Sequence, residues 1–352
     1  MMARTLTCRE ALSEAFVQGF EKDPTLFMMG CGVPDPKGIF GTTLEVTKRF
    51  APERVFDIPL AENGIAGFAV GAAIAGMHPV VVHQRSDFLL LAMDQIINHA
   101  AKWKYMSGGQ LPVPLVIRSI VGRGWGQAAQ HSQNLHALFA HIPGLYVVLP
   151  SDAYDAKGLM LTSLKVKAPV IFIEHRWIHE MTGEVPEGPY EIPFGQAGIK
   201  RQGSDITIVA VSHMVSDALK AAALLEKEGL SAEVCDLRTL VPLDWETVCA
   251  SVKKTGRLIV ADTGWRSFGA SAEIAAGVYE KVGTCLKAPV RRIALPDAPT
   301  PCSSALEKMY YPGVDHIVAA ARDLVRTGKA QHASAKPHVP SASAPEKFLG
   351  PF

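Results

Sequence analysis

One carboxyl group opens the least polar helical stretch of the sequence. In FDIPLAENGIAGFAVGAAIAG (56–76), Glu62 follows a short strand and precedes a run of Gly, Ala, Val and Ile. A carboxylate at a helix start is stabilised by the free amides and the dipole, a purely structural use. In an apolar pocket the same group has its pKa raised and shares a proton with a hydrogen-bond partner, as proton-transfer chemistry requires. The second candidate is His131 in AAQHSQ (128–133), just beyond the glycine segment GRGWGQ (122–127). An isolated histidine more often serves structure, but this one stands on a polar loop beside Ser132 and Gln133, where a core role is less natural. The loop follows the apolar strand PLVIRSI (114–120), and in open α/β sheets ligands bind at the C-terminal ends of strands. Two other segments, HQR (83–85) and EHRW (174–177), also end apolar strands. No GxxxxGK[ST] loop, no GxGxxG after a first strand, no HExxH and no GxSxG is present.

These groups need a scaffold, and the apolar pattern supplies one. PVVVH (79–83), PLVIRSI, GLYVVLP (144–150) and PVIFIEH (169–175) are apolar on consecutive positions, as are strands buried on both faces of a parallel sheet. LFMMGCGV (26–33) is a shorter run of the same kind. Helical spacing over 9–22 puts Ala11, Leu12, Ala15, Phe16 and Phe20 on one face, and Asp23-Pro24 ends it. Asn63–Ala75 is small and apolar all round, which predicts a central helix. Leu89–Tyr105 is amphipathic, and a helix-start signal precedes 152–164. An irregular stretch near 178–203 predicts a domain boundary. Beyond it, strands at 205–211, 231–239 and 256–263 alternate with helices at 215–228, 244–255, 271–282 and 314–327. The pattern reads as α/β with two doubly wound domains, 1–190 and 191–330. Residues 331–352 are rich in Ala, Ser and Pro, and read as a mobile tail whose FLGPF end is apolar enough to dock.

A length of 352 residues with 48% apolar and 20% charged residues suits two soluble α/β domains. A net charge of +1 gives no field for nucleic acid or an anionic membrane. No signal-peptide pattern and no membrane-length apolar run is found, so a cytoplasmic protein is expected. Six scattered cysteines, with no CxxC pair, read as reduced thiols.

Taken in order, the Glu62 and His131 segments, MDQIINHAAKWKYMSGGQLPVP (93–114), HIPGLYVVLPSDAYDAKGL and IVADTGWRSFGASAEIAA resemble the β subunit of thiamine-diphosphate-dependent 2-oxoacid dehydrogenase E1 components: pyruvate, branched-chain 2-oxoacid and acetoin types. The resemblance runs from about residue 3 to about 327. It implies a transketolase-like pyrimidine-binding domain followed by a transketolase C-terminal domain, in an α2β2 heterotetramer. Glu62 then corresponds to the carboxyl that bonds the cofactor's N1′ and favours the imino tautomer that deprotonates the thiazolium C2. Phe88 corresponds to the aromatic packed on the aminopyrimidine ring, with Gln84 beside the cofactor. His131 corresponds to the histidine near the reacting carbon, donating to oxyanion charge or serving acyl transfer. The GDG segment that anchors Mg²⁺ and diphosphate in thiamine enzymes is missing, so the α subunit is expected to hold them. The resemblance also implies a lipoyl-bearing E2 acyltransferase as second partner. A structural K⁺ would be bound through the backbone of Leu115, Ser163, Leu164, Val166 and Ala168.

The sequence departs from the family near the site. Cys31 stands where many relatives are acidic, Val82-His83 where many have Glu-Phe, and Gln84 where an apolar residue is usual. His83, Gln84 or Arg85 is expected to read a polar or acidic substrate group, Arg being the natural partner of a carboxylate; contact with the α chain or with each other is the alternative. Two other readings of the chain are half of a split transketolase, for which no matching set of sugar-phosphate-binding basic residues is visible, and a non-catalytic interaction subunit.

Overall fold

The computed structural model describes residues 3–328. The tail expected at 331–352 lies outside the described residues. The chain is α/β, with two layered units built on separate sheets.

The first helix, Cys8–Lys22, begins with a capping box. Thr7 accepts from the Glu10 amide at 3.3 Å, and Glu10 accepts from the Thr7 amide at 2.8 Å. It buries Ala11, Leu12, Ala15, Phe16 and Phe20, the stripe that its spacing predicts, and packs on the helix Ala153–Ser163. Asp23 ends it by accepting from the Thr25 amide at 2.8 Å.

The larger sheet has seven strands. From edge to edge they are Thr239–Val241, Tyr146–Val148, Pro169–His175, Leu115–Val121, His78–His83, Leu26–Met29 and Val55–Phe56. All are parallel except Thr239–Val241, which joins antiparallel. The strands Leu26–Met29, His78–His83, Leu115–Val121 and Pro169–His175 are buried along their whole length, so the continuous apolar runs meet covered faces. The second sheet runs Arg291–Leu295, Leu258–Trp265, Ile206–Ala210, Ala232–Asp236 and Gly198–Arg201, antiparallel only at the last pair. The helices Met214–Glu226 and Val314–Gly328 share a core with one face. Trp245–Thr255 and Ala270–Val282 pack on the other, in a core continuous with that of the first sheet.

Three expectations change. The strand anticipated over 231–239 stops at Asp236, Arg238 adopts φ 59°, and Thr239–Val241 then crosses to the first sheet. The amphipathic stretch 89–105 is not one α-helix: a 3₁₀ segment Ser86–Ala92 leads to a π-helical segment Gln95–Ala100 and an α-helical turn Ala101–Met106. Tight winding keeps Leu89 and Ala92 on one line, and loose winding keeps Ile96 in line with Ala100 and Ala101, so all five stay buried. The helix Glu62–Ile74 is not central within this chain. It buries Ala66, Ala69, Val70 and Ala73 on one face and leaves Phe68 56% exposed on the other. The short strands Ala3–Thr7, Thr182–Pro186, Gly198–Arg201 and Arg291–Leu295 escape the apolar pattern, because few of their residues are fully buried.

Two charges stand inside the apolar strands and meet. Arg118 and Glu174, both fully buried, form a two-pronged pair: Nη2 donates to Oε2 at 2.8 Å and Nε donates to Oε1. His179 Nε2 adds a bond to Glu174 Oε2 at 2.8 Å. Burial alone would raise the Glu174 carboxyl, but Arg118 and His179 overcome it and hold the pKa at about 2. Glu174→Gln strands the Arg118 charge and is expected to cost about 3–5 kcal/mol in chemical denaturation. The folded-state pKa lies below the ordinary value of 4.5, so the stabilisation is complete above that pH and fades as pH falls towards 2. The variant should show a flatter dependence of stability on pH across that window.

Candidate active site

Parallel order sends successive strand ends to one edge, and the loops there are tied to one another. After Leu26–Met29, the Gly32 amide donates to Asp57 Oδ1 at 2.9 Å, joining the loop that follows Val55–Phe56. A Cβ on Gly30 would lie 2.4 Å from the Val82 carbonyl oxygen, so only glycine allows that approach. After His78–His83, Gln84 Nε2 donates to the Cys31 carbonyl at 2.9 Å. Gln133 donates to Asp87 Oδ1 through its amide N–H at 3.2 Å and its side chain at 2.9 Å, which fixes the loop carrying His131. The rings of Phe88 and His131 meet edge to face, with centroids 5.4 Å apart and planes at 87°. Both are half-buried.

Glu62 opens the helix Glu62–Ile74, which packs against Ser86–Ala92, the segment carrying Phe88. Glu62 is half-buried, between exposed Ala61 and Asn63. The Cys31 thiol lies in its field: burial, Asp57, Asp35 and Glu62 together raise the Cys31 pKa. Among the described residues no donor is bonded to the Glu62 carboxylate. The apolar pocket expected around it is not closed by the described residues; Leu60 and Phe68 on either side of it in sequence, and Leu90 and Leu91 of the neighbouring segment, are exposed.

The HQR segment divides. Gln84 is exposed. His83 is 6% exposed, and burial holds its pKa at about 4, so at neutral pH it is an uncharged group and not a partner for an anion. Arg85 is buried, donates through Nη1 to the Gln84 carbonyl at 2.6 Å, and lies over the Phe40 ring at 5.2 Å. Its Nε has no hydrogen-bond partner. A Cβ on Gly122 would lie 2.1 Å from the His131 carbonyl oxygen and 3.1 Å from Arg85 Nε, which places the guanidinium near the His131 backbone.

The second sheet braces the same loop. Asn134 bonds Thr263 and, at 2.5 Å, His136 Nδ1; His136 Nε2 reaches Asp262 Oδ1 at 2.9 Å. Burial would raise the Asp262 carboxyl, but His136 and the amides of Gly264 and Ser271 hold it below the usual range. From EHRW, His175 is buried in a stack on His213, with centroids 5.0 Å apart. Sequence reading passed over this brace and the Arg118–Glu174 pair. The available signal was a lone Arg and a lone Glu inside two otherwise apolar strands, since charges buried there must find each other.

Residues 4–179 match the family described as "Transketolase, pyrimidine binding domain", and residues 195–317 match "Transketolase, C-terminal domain". The chain is 45% identical to the "Acetoin:2,6-dichlorophenolindophenol oxidoreductase subunit beta" of Cupriavidus necator, over 93% of this chain and 100% of that protein. It is 43% identical to the "Pyruvate dehydrogenase E1 component subunit beta" of Rickettsia felis, over 90% and 97% respectively. A solved structure described as "Split gene transketolase, inactive beta4 tetramer" matches with a TM-score of 0.74 and 26% identity, covering 91% of this chain and 98% of that one. Relatives this similar across nearly the whole sequence, on a fold matched by both transketolase domain families, establish that the chain belongs to the family of 2-oxoacid dehydrogenase E1 component β subunits.

Proposed function

We propose that this chain, paired with an α subunit, decarboxylates a 2-oxoacid or cleaves acetoin and passes the acyl unit to a lipoyl group on an E2 partner. The observation that carries the reading is the unbonded Glu62 carboxylate, on the edge that holds the Phe88–His131 pair and beside an apolar face that this chain leaves open. The E1 relatives at 40–45% identity outweigh the split transketolase at 26%. The β4 tetramer of that split transketolase is described as inactive, in keeping with a β chain that needs a partner.

The family works with thiamine diphosphate, in an assembly of α and β chains. The residues here fit the pyrimidine end of that cofactor: a carboxylate with no donor of its own and a half-buried aromatic ring. When bound, the cofactor supplies a nucleophilic thiazolium carbon and an electron sink for decarboxylation. Glu62 would bond N1′ and hold the proton that sets the tautomer. Phe88 packs on the aminopyrimidine and keeps water from it. Gln84 spends its Nε2 on Cys31 and keeps its Oε1 for the cofactor. His131, held by Phe88 and by the Gln133–Asp87 bonds, donates to the oxygen of the reacting carbonyl and serves acyl transfer. Arg85, near the His131 backbone, presents its charge to the substrate carboxylate, while neutral His83 takes no part as a cation.

The diphosphate and its Mg²⁺ belong to the α chain in this reading, since the sequence has no GDG segment. A K⁺ ion suits the turn after the helix Ala153–Ser163. The carbonyls of Ser163, Leu164 and Val166 accept no backbone amide among the described residues, and a helix C-terminus attracts a cation.

In the assembled enzyme, Glu62→Gln should lower 2-oxoacid-dependent dye reduction by 10²–10⁴-fold, about what a positioned proton-transfer group contributes. Undiminished turnover would remove Glu62 from the chemistry. Phe68→Asp should abolish co-purification with the α subunit and leave the fold of this chain intact by circular dichroism. Arg85→Ala should shift preference among 2-oxoacids, and an unchanged ranking would end its assignment to the substrate.

A further inference from the structure

A second group of cations lies where the two sheets meet, at the same strand ends. A cavity of about 310 Å³ is lined by Trp125 of the glycine loop, Arg176 and Trp177 beyond the strand Pro169–His175, Glu180, and His213 and Lys220 of the second unit. Its walls are two indoles, 74% and 44% exposed, that no core requires. Arg176 is largely buried, its side chain 15% exposed, and its Nε has no hydrogen-bond partner. Aromatic faces hold it in place: Phe40 at 4.8 Å and Trp125 at 5.6 Å. Stacking of this kind fixes a guanidinium and leaves its planar fork of donors free.

The nearby acids leave Arg176 undercompensated. Glu180 approaches it only to 3.9 Å, is itself 56% exposed, and is engaged more closely by Arg9 at 3.2 Å. Asp217 lies 3.6 Å from Lys220 and 3.8 Å from His213. Behind Trp177 a further cation, Arg123, is sandwiched between the Trp177 and Tyr311 rings at 3.8 and 4.0 Å, with Asp217 and Glu307 as its acidic neighbours. Burial holds the His213 pKa at about 4, so this imidazole offers hydrogen bonding without charge.

The cavity is joined to the candidate active site through shared residues. Phe40 lies under both Arg176 and Arg85, and Arg85 Nε lies near the His131 backbone, across Gly122. Trp177 Nε1 donates to the Arg123 carbonyl at 3.3 Å, which ties the cavity wall to the glycine loop that leads to His131. Pyruvate and acetoin are too short to need a distant polar pocket.

We propose that this cavity is a subsite for a second anionic group, carboxylate or phosphate, at the far end of a substrate longer than pyruvate. Arg176 takes the group by paired hydrogen bonds, Lys220 adds charge from the second unit, and Trp125 and Trp177 enclose the linking atoms. The inference rests on the reading of the chain as a 2-oxoacid enzyme, and its test separates the two.

The full chain is titrated at low ionic strength with succinate and with inorganic phosphate, following tryptophan fluorescence. A saturable change is expected with at least one anion, and which one responds distinguishes carboxylate from phosphate. Arg176→Met should weaken it at least tenfold, and Arg176→Lys should restore part of it. Lys220→Met, at a site 63% exposed and so harmless to folding, should weaken it about threefold or more. Absence of saturation with both anions in the unaltered chain overturns the proposal, as does equal binding by folded Arg176→Met. In the α/β enzyme, Arg176→Met should raise KM for 2-oxoglutarate or 3-phosphohydroxypyruvate at least tenfold relative to KM for 2-oxobutanoate; equal changes overturn the subsite. Anion binding that depends on Arg176, without turnover of any 2-oxoacid, supports the site and refutes the decarboxylase reading. Turnover of 2-oxobutanoate without anion binding does the reverse.

Discussion

Six neighbouring strands run in the same direction, and the placement of every functional group follows from that. A parallel sheet cannot be joined by tight hairpins, so each strand returns through a helix and all the strand ends emerge together. Cys31, Glu62, Phe88, His131 and Arg176 are far apart in sequence and belong to successive loops on one edge. The sheet is held by burial on both faces. The cost of placing Arg118 and Glu174 in that interior is met by their mutual bonds and by His179, so the edge inherits a rigid floor.

The edge is also incomplete, and the incompleteness has a physical form. The helix that starts at Glu62 is apolar on every side, yet this chain covers one side only. Water against the other face is unfavourable, and a carboxylate beside that face stays solvated until something replaces the water. In the function proposed above, a partner that buries Phe68 would also dry Glu62.

The brace from the second unit has a different role. Asn134, His136 and Asp262 link the histidine loop to a strand of the other sheet, and the crossing strand Thr239–Val241 joins the two sheets through the backbone. The loop is thus clamped from two directions. Its Trp125 is left to line a cavity, where Arg123 and Arg176 are stacked on aromatic rings and only loosely approached by carboxylates.

Local patterns were enough to read the α/β class and the order of most strands and helices, because burial on both faces writes continuous apolar runs and a helix stripe writes its own period. The capping box at Thr7 and Glu10 and the stripe from Ala11 to Phe20 are equally local. The winding change over 86–106 was not legible, since it answers to packing of Leu89 through Ala101 against other elements. Nor was the neutrality of His83, which follows from how deeply its neighbours bury it. The Arg176 cavity was hidden for the same reason: Trp125, Arg176, His213 and Lys220 come from separate elements, and only tertiary structure brings them together. Sequence by itself determined which groups exist and which elements carry them, because those depend on neighbours a few positions away. Tertiary structure alone decided which charges are matched, which face stays open and which rings meet, because those depend on distances between residues scores of positions apart.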